Sequence, residues 1–168
     1  MPDPVAPEKK EIYDAKMAAL KRIEKSIEKL VEITDQLLDA DETIAKVESA
    51  LKNNDTKEAD SLRKSGKAMT DSIKKIRNFI MGTPLEKQGY GAVYEITVNK
   101  RVQEARGEVL GKDKIPDVQE FGLITMAESL VTDAIKKTNE FFNGKWKAYQ
   151  LQADNTPMKL FKDYKLME

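Results

Sequence analysis

The chain has 168 residues, enough for one domain that buries roughly two-thirds of its unfolded surface. Charged residues make up 35% of it, but 29 Lys+Arg balance 29 Asp+Glu, which gives no reason to expect nucleic acid or an anionic membrane as partner. Without a single His or Cys, the chain lacks the residues most often used as metal ligands, proton shuttles and thiol nucleophiles.

The opening Met1-Pro2-Asp3-Pro4-Val5-Ala6-Pro7 is neither a basic nor an apolar leader segment, and its prolines read as an extended linker over residues 1–7. A chain that opens on a linker reads as a piece of something larger. The first helix is expected from about residue 8 to 52, with Glu8 and Glu11 at its positive end. Leu20, Ile23, Ile27, Leu30, Thr34 and Leu37 repeat at alternating four-three spacing, and Ile44, Val47 and Leu51 continue the stripe. Val31, Ile33 and Leu38 flank it, so the apolar face is wider than a two-stranded coiled coil requires, and a bundle follows. Asp39 with Glu42 has the spacing of a capping box that would break this helix. The register held by Ile44 and Leu51 favours a continuous one, long enough to overhang its neighbours.

Asn53 and Asn54 end that segment, and Asp55 with Glu58 is expected to cap a second helix over residues 56–81. Its stripe is Leu62, Gly66, Met69, Ile73, Ile76 and Ile80. Glycine in such a position costs about 1 kcal/mol against alanine, a cost that close approach of another helix would offset. Gly82, Pro84, Gly89 and Gly91 mark a loop. Tyr94, Ile96 and Val98 alternate as a strand would, but no second strand candidate exists to pair with it. Val98, Val102, Ala105 and Val109 repeat at helical spacing, so the pattern predicts a third helix over 92–110. After a turn at Gly111 to Pro116, Asp117 and Glu120 form the capping box of a fourth helix over 118–150. Its stripe is Phe121, Ile124, Val131, Ile135, Thr138, Phe142, Trp146 and Tyr149. A short tail, 151–168, carries Leu160, Phe161, Tyr164 and Leu166 and is expected to dock on the bundle. The fold class is therefore all-α, an antiparallel helix bundle of about four helices with a long first helix and a short docked C-terminal tail.

Charge is unevenly spread. Residues 1–60 hold 10 basic and 15 acidic side chains, residues 61–115 hold 12 and 6, and the remainder holds 7 and 8. Solvated helix faces explain such a division as simply as a partner does. No apolar run approaches the roughly 18 residues of a membrane span.

The chemistry-bearing patterns are thin. Asp39, Asp41 and Glu42 are the densest acidic cluster but lack the alternating ligands and turn glycine of a calcium loop, so no metal or cofactor is expected. Serine chemistry has no His base and no Gly-x-Ser-x-Gly elbow. Carboxylate-based glycoside hydrolysis needs two acids facing each other across a cleft, whereas heptad spacing puts nearly all of these on outer faces. No catalytic residue is assigned. The candidate partner-contact residues are Val31, Ile33 and Leu38 on the first helix and Trp146 on the last.

Lys67-Ala68-Met69-Thr70-Asp71-Ser72-Ile73-Lys74, the stretch 131–149 with Asn139-Glu140-Phe141-Phe142 and Trp146, and Leu160-Phe161-Lys162-Asp163-Tyr164 together resemble one module. It is the helical C-terminal region of bacterial sortilin-like, BNR-repeat β-propeller proteins, many of them labelled putative glycosyl hydrolases. The Pro-rich opening is similar to the exit from the small β domain preceding that region, while residues 92–110 match poorly. The resemblance implies a non-catalytic accessory module in a periplasmic or extracellular parent, with any chemistry in the propeller. Its partners would be the parent's own upstream domains or a second copy of itself. A stand-alone helical adaptor or chaperone-like binder is the other reading.

Overall fold

The computed structural model describes residues 7–84 and 95–158. Helix α1 (Pro7–Ala50) has 44 residues, about 66 Å at 1.5 Å per residue, and is unbroken through residues 39–42. Its buried residues are Ala19, Ile23, Ser26, Leu30, Ile33, Leu37, Ala40, Ile44 and then Leu51, all at four-three spacing or its multiple. The expected seam is thus turned slightly. Leu20, Ile27 and Thr34 flank it half-buried, and Ile33, only 6% exposed, joins the core. Both phases share Ile23, Leu30 and Leu37, so spacing alone does not separate them. Helices packed on both sides of α1 do.

The carbonyls that end α1 find a partner in Arg63, whose Nη2 donates to Leu51 O at 2.6 Å and Asn54 O at 2.7 Å. Helix α2 (Lys57–Met81) starts one residue later than expected. Thr56, not Asp55, is the cap, accepting from Ala59 N at 3.3 Å, while the Asn54 side-chain oxygen holds the Thr56 N–H at 3.2 Å. Ala59, Leu62, Gly66, Met69, Ile73, Ile76 and Ile80 form its buried seam without a gap. A Cβ on Gly66 would lie 3.3 Å from both Ile44 Cγ2 and the Tyr149 hydroxyl, the close approach that the glycine permits.

Gly82, with φ 93°, ends α2. Thr97 lies beside it, its Cγ2 3.0 Å from where a Cβ on Gly82 would be, and Thr83 N and Oγ1 reach Glu95 Oε2 at 3.3 and 3.4 Å. Helix α3 (Val98–Gly111) begins only at Val98, because the Thr97 hydroxyl accepts from Lys100 N at 3.1 Å and ends upstream propagation. Residues 95–97 are not helical, which corrects the start expected at 92, and residues 92–94 lie outside the described range. Val98, Val102, Ala105 and Val109 are all buried, as their spacing predicts.

Lys16 Nζ donates to Lys112 O at 2.7 Å, placing the end of α3 beside the early turns of α1. Helix α4 (Val118–Phe141) then starts from the complete Asp117/Glu120 capping box. It passes through a wide π turn (Phe142–Trp146) into α5 (Lys147–Asp154) without changing course. Arg22 and Glu128, then Gly66 and Tyr149, and finally Asn54 Nδ2 on Pro157 O at 2.7 Å mark its path up the bundle parallel to α1.

The all-α antiparallel bundle therefore consists of three rods. Helices α2 and α3 share one line antiparallel to α1, so a section at any height cuts three helices. Neighbours accompany α1 from Lys16 to Leu51, and its overhang is confined to the first turns, where Tyr13 is exposed. The helix expected to stop near residue 150 continues to Asp154, after which Thr156 is buried and Met158 packs on the core. Leu160, Phe161, Tyr164 and Leu166 lie outside the described residues.

The π turn has a sequence reason. Glu120, Ile124, Ala127, Val131, Ala134, Thr138 and Phe141 are buried at heptad spacing, but the next buried residue is Tyr149, eight further on. One extra residue must be absorbed, and a single π turn at Asn143-Gly144 does it. Trp146 consequently sits beside the seam, half-buried.

Candidate functional site

The four candidate contact residues occupy three different environments. Val31 and Leu38 are 53% and 46% exposed on the outer face of α1, Ile33 is inside the core, and Trp146 belongs to an aromatic cluster at the π turn. Only Val31 and Leu38 share a face. Ile33 is removed from any contact surface because it occupies a seam position.

Glu24, Glu28, Asp35 and Glu42 share the outer face with those two residues and Ala45, alternating at four-three spacing directly opposite the core seam. All are exposed. This is an acidic stripe about 32 Å long with apolar residues one heptad apart.

Across the molecule, α2 and the α4–α5 rod enclose a groove to which α1 contributes nothing. One part, about 360 Å³, has Ile76, Phe79 and Phe141 as its apolar floor, with Ser72, Lys75, Lys137, Glu140 and Lys145 around it. Two of its lysines are placed by contacts: Lys145 Nζ donates to Ser72 Oγ at 3.3 Å, and Lys137 Nζ lies 5.3 Å from the centre of the Phe79 ring. A second part lies between Lys57, Glu58, Ser61, Ala148, Leu151 and Gln152, with Leu151 65% exposed. Ala68 and Ala148 are exposed and small, and Gln152 Nε2 donates to Ser61 Oγ at 3.0 Å across the second part. From Lys57 to Phe79 the groove extends about 33 Å along α2. The α2 seam was legible in the sequence, whereas on the fourth helix the expected Phe121, Ile135, Phe142 and Trp146 flank a seam filled by Glu120, Ala127, Ala134 and Phe141. The groove was not legible, because its walls come from residues 73 apart at Ser72 and Lys145 and 91 apart at Ser61 and Gln152.

In the aromatic cluster the pairs made by Phe142 are edge to face and the other two are tilted. Phe141 and Phe142 have ring centres 5.1 Å apart, Phe142 and Trp146 6.0 Å, and Trp146 and Tyr149 5.8 Å. Tyr149, 4% exposed, lines a recess of about 380 Å³ with Gly66, Ile44 and Arg63. Burial, followed by the charge of Glu48, raises its phenol above the usual range.

The most perturbed carboxyl is Glu120, 1% exposed. Lys112 Nζ donates to its Oε1 at 2.7 Å, Lys114 Nζ is at 3.4 Å, and the Asp117 N–H donates to Oε2 at 2.9 Å. The Lys112 hydrogen bond is the main reason its pKa is lowered far below the carboxylate range, and Lys112 is raised in return by Glu108 and Glu120. Nearby, Arg22 grips Glu128 through Nε at 2.9 Å and Nη2 at 2.7 Å, lowering that carboxyl too, and lies 5.9 Å from the Phe121 ring centre. These groups close helix ends and join rods. They do not face one another across a cleft.

Among the described residues no group of three or more acidic side chains converges as a metal site would require, and no helix is long and apolar enough to cross a membrane. No protein-family model, curated protein or solved structure matches the chain.

Proposed function

We propose that this chain is a non-catalytic helical accessory module that spaces and docks parts of a larger exported protein. The observation that carries this reading is the path of the chain. It enters beside Lys16 and Lys112 at one end of the rods and reaches Pro157 beside Asn54 at the other, about 55 Å away. An odd number of rods sets the two described ends apart, so a partner docked near Pro157 is held away from a domain joined ahead of α1, whereas an even number would bring the two together. The role of Glu120 supports the same reading, since the carboxyl most perturbed by its surroundings is committed to a helix cap and two lysines.

Resemblance to the helical C-terminal region of sortilin-like, BNR-repeat proteins makes a β-propeller the expected attachment and the periplasm or exterior the expected compartment. The exposed pair Val31 and Leu38 favours a second reading, a stand-alone helical adaptor. Because the chain has no cysteine, Met17→Cys with Asn155→Cys gives two unique labelling sites. A spin–spin distance of about 55 Å fits the spacer, and a distance below about 40 Å would overturn it. Turnover of any substrate in a glycoside screen would overturn the non-catalytic assignment.

A further inference from the structure

We propose that the acidic outer stripe of α1 in one copy of this chain docks in the lysine-flanked groove between α2 and the α4–α5 rod of a second copy. The two surfaces match in length, about 32 and 33 Å. They also match in charge. Glu24, Glu28, Asp35 and Glu42 make the stripe net acidic, with exposed Lys21 at the next position of the same spacing and Lys25 and Lys29 beside it, while the groove is bordered by four lysines, at 57, 75, 137 and 145, against two glutamates, at 58 and 140. Both surfaces also carry apolar side chains. Val31 and Leu38 project from the stripe one heptad apart, and the groove offers an apolar floor at Ile76, Phe79 and Phe141 with exposed Leu151 towards its other end.

A fourth helix laid in this groove would turn the upper part of the three-rod section into a four-helix one, the usual way a bundle hides such a face. A second copy is favoured as the source of that helix because the chain carries both halves of the contact. Its net charge of zero also leaves no overall repulsion between copies, although the charges are segregated by face. The stripe and groove lie on opposite sides of the molecule, so the contact is heterologous and does not close into a two-fold dimer. Copies would add side by side in an open row. The inference is independent of the spacer reading, which the end-to-end distance tests separately.

Sedimentation of the full chain tests it. At about 20 mM ionic strength the average mass is expected to rise at least about twofold as protein approaches about 1 mM, and to return to that of a monomer in about 0.5 M salt. Glu28→Lys with Glu42→Lys, and separately Lys137→Glu with Lys145→Glu, change only exposed side chains, and each variant alone is expected to remain monomeric. Mixing the two is expected to restore association, since the intact groove of one meets the intact stripe of the other and the two reversed surfaces are again opposite in charge. A monomer throughout the low-salt series would overturn the proposal. Rows insensitive to either charge reversal, or a mixture that stays monomeric, would overturn it as well.

Discussion

The two ends of the bundle are held by different physics. Around α3 and the start of α4, charged side chains do the joining: Lys16 on the last carbonyls of α3, Glu120 between two lysines, and Arg22 bidentate on Glu128. Around α2 and α5 the polar joints between rods, Arg63 and Asn54 on backbone carbonyls, Lys145 on Ser72 and Gln152 on Ser61, involve no carboxylate among the described residues. Shape adds to them, with Gly66 letting Ile44 and Tyr149 approach and four rings packed at the π turn. A short helix such as α3 buries little apolar surface and has a large share of its backbone groups at its ends, so polar closure matters more there. Longer α2 depends on side-chain fit, which tolerates acid but not altered volume.

The largest effect is expected from the seam itself. Ile33→Ala should destabilise by about 3 kcal/mol, whereas Val31→Ala, two residues away but outside, should stay within about 0.5 kcal/mol. Equal losses in urea denaturation would mean that the seam phase is wrong. Gly66→Leu comes next, at about 1–3 kcal/mol, because its side chain must displace Ile44 and Tyr149. Hydrogen exchange should then show α2 and α5 loosened while α3 keeps its protection.

Acid should do the reverse. Glu120 and Glu128 have lowered pKa values in the folded chain, so the stability they contribute is present above the ordinary carboxylate pKa near 4.3 and is lost as pH falls through their folded values. Between pH 5 and roughly pH 2, amide protection in α3 and the first turns of α4 is expected to fall before that in α2. Simultaneous loss would remove the distinction between the two ends. The smallest effect should come from deleting Gly144. Removing the extra residue converts the π turn to α-helix and leaves Tyr149 in phase, at a cost of no more than about 1 kcal/mol, measurable by thermal melting. Deleting Ala134 instead shifts every later seam residue and should abolish cooperative unfolding.

Much of this architecture is local information. Helix identity, the seam of α2, the buried positions of α3 and the Asp117/Glu120 cap all follow from spacing and side-chain type within a few residues. The misplacements are local too, but they turn on competition. Thr56 and Thr97 captured caps that Asp55 and an upstream start seemed to hold, since a hydroxyl placed to accept from the amide three residues on decides where helical bonding begins.

Other features belong to the assembled molecule. Two seam phases on α1 share every second candidate, and only the helices on either side select the one that buries Ile33 and leaves Val31 and Leu38 outside. That α2 and α3 lie on one line depends on the close approach of Gly82 and Thr97, and the basic groove depends on residues 75 and 145 lining it from two different rods. Spacing along a chain specifies which side of a helix is apolar, because that side repeats every turn. It does not specify which neighbour covers that side, because contacts between distant segments are chosen by the packing of the whole core.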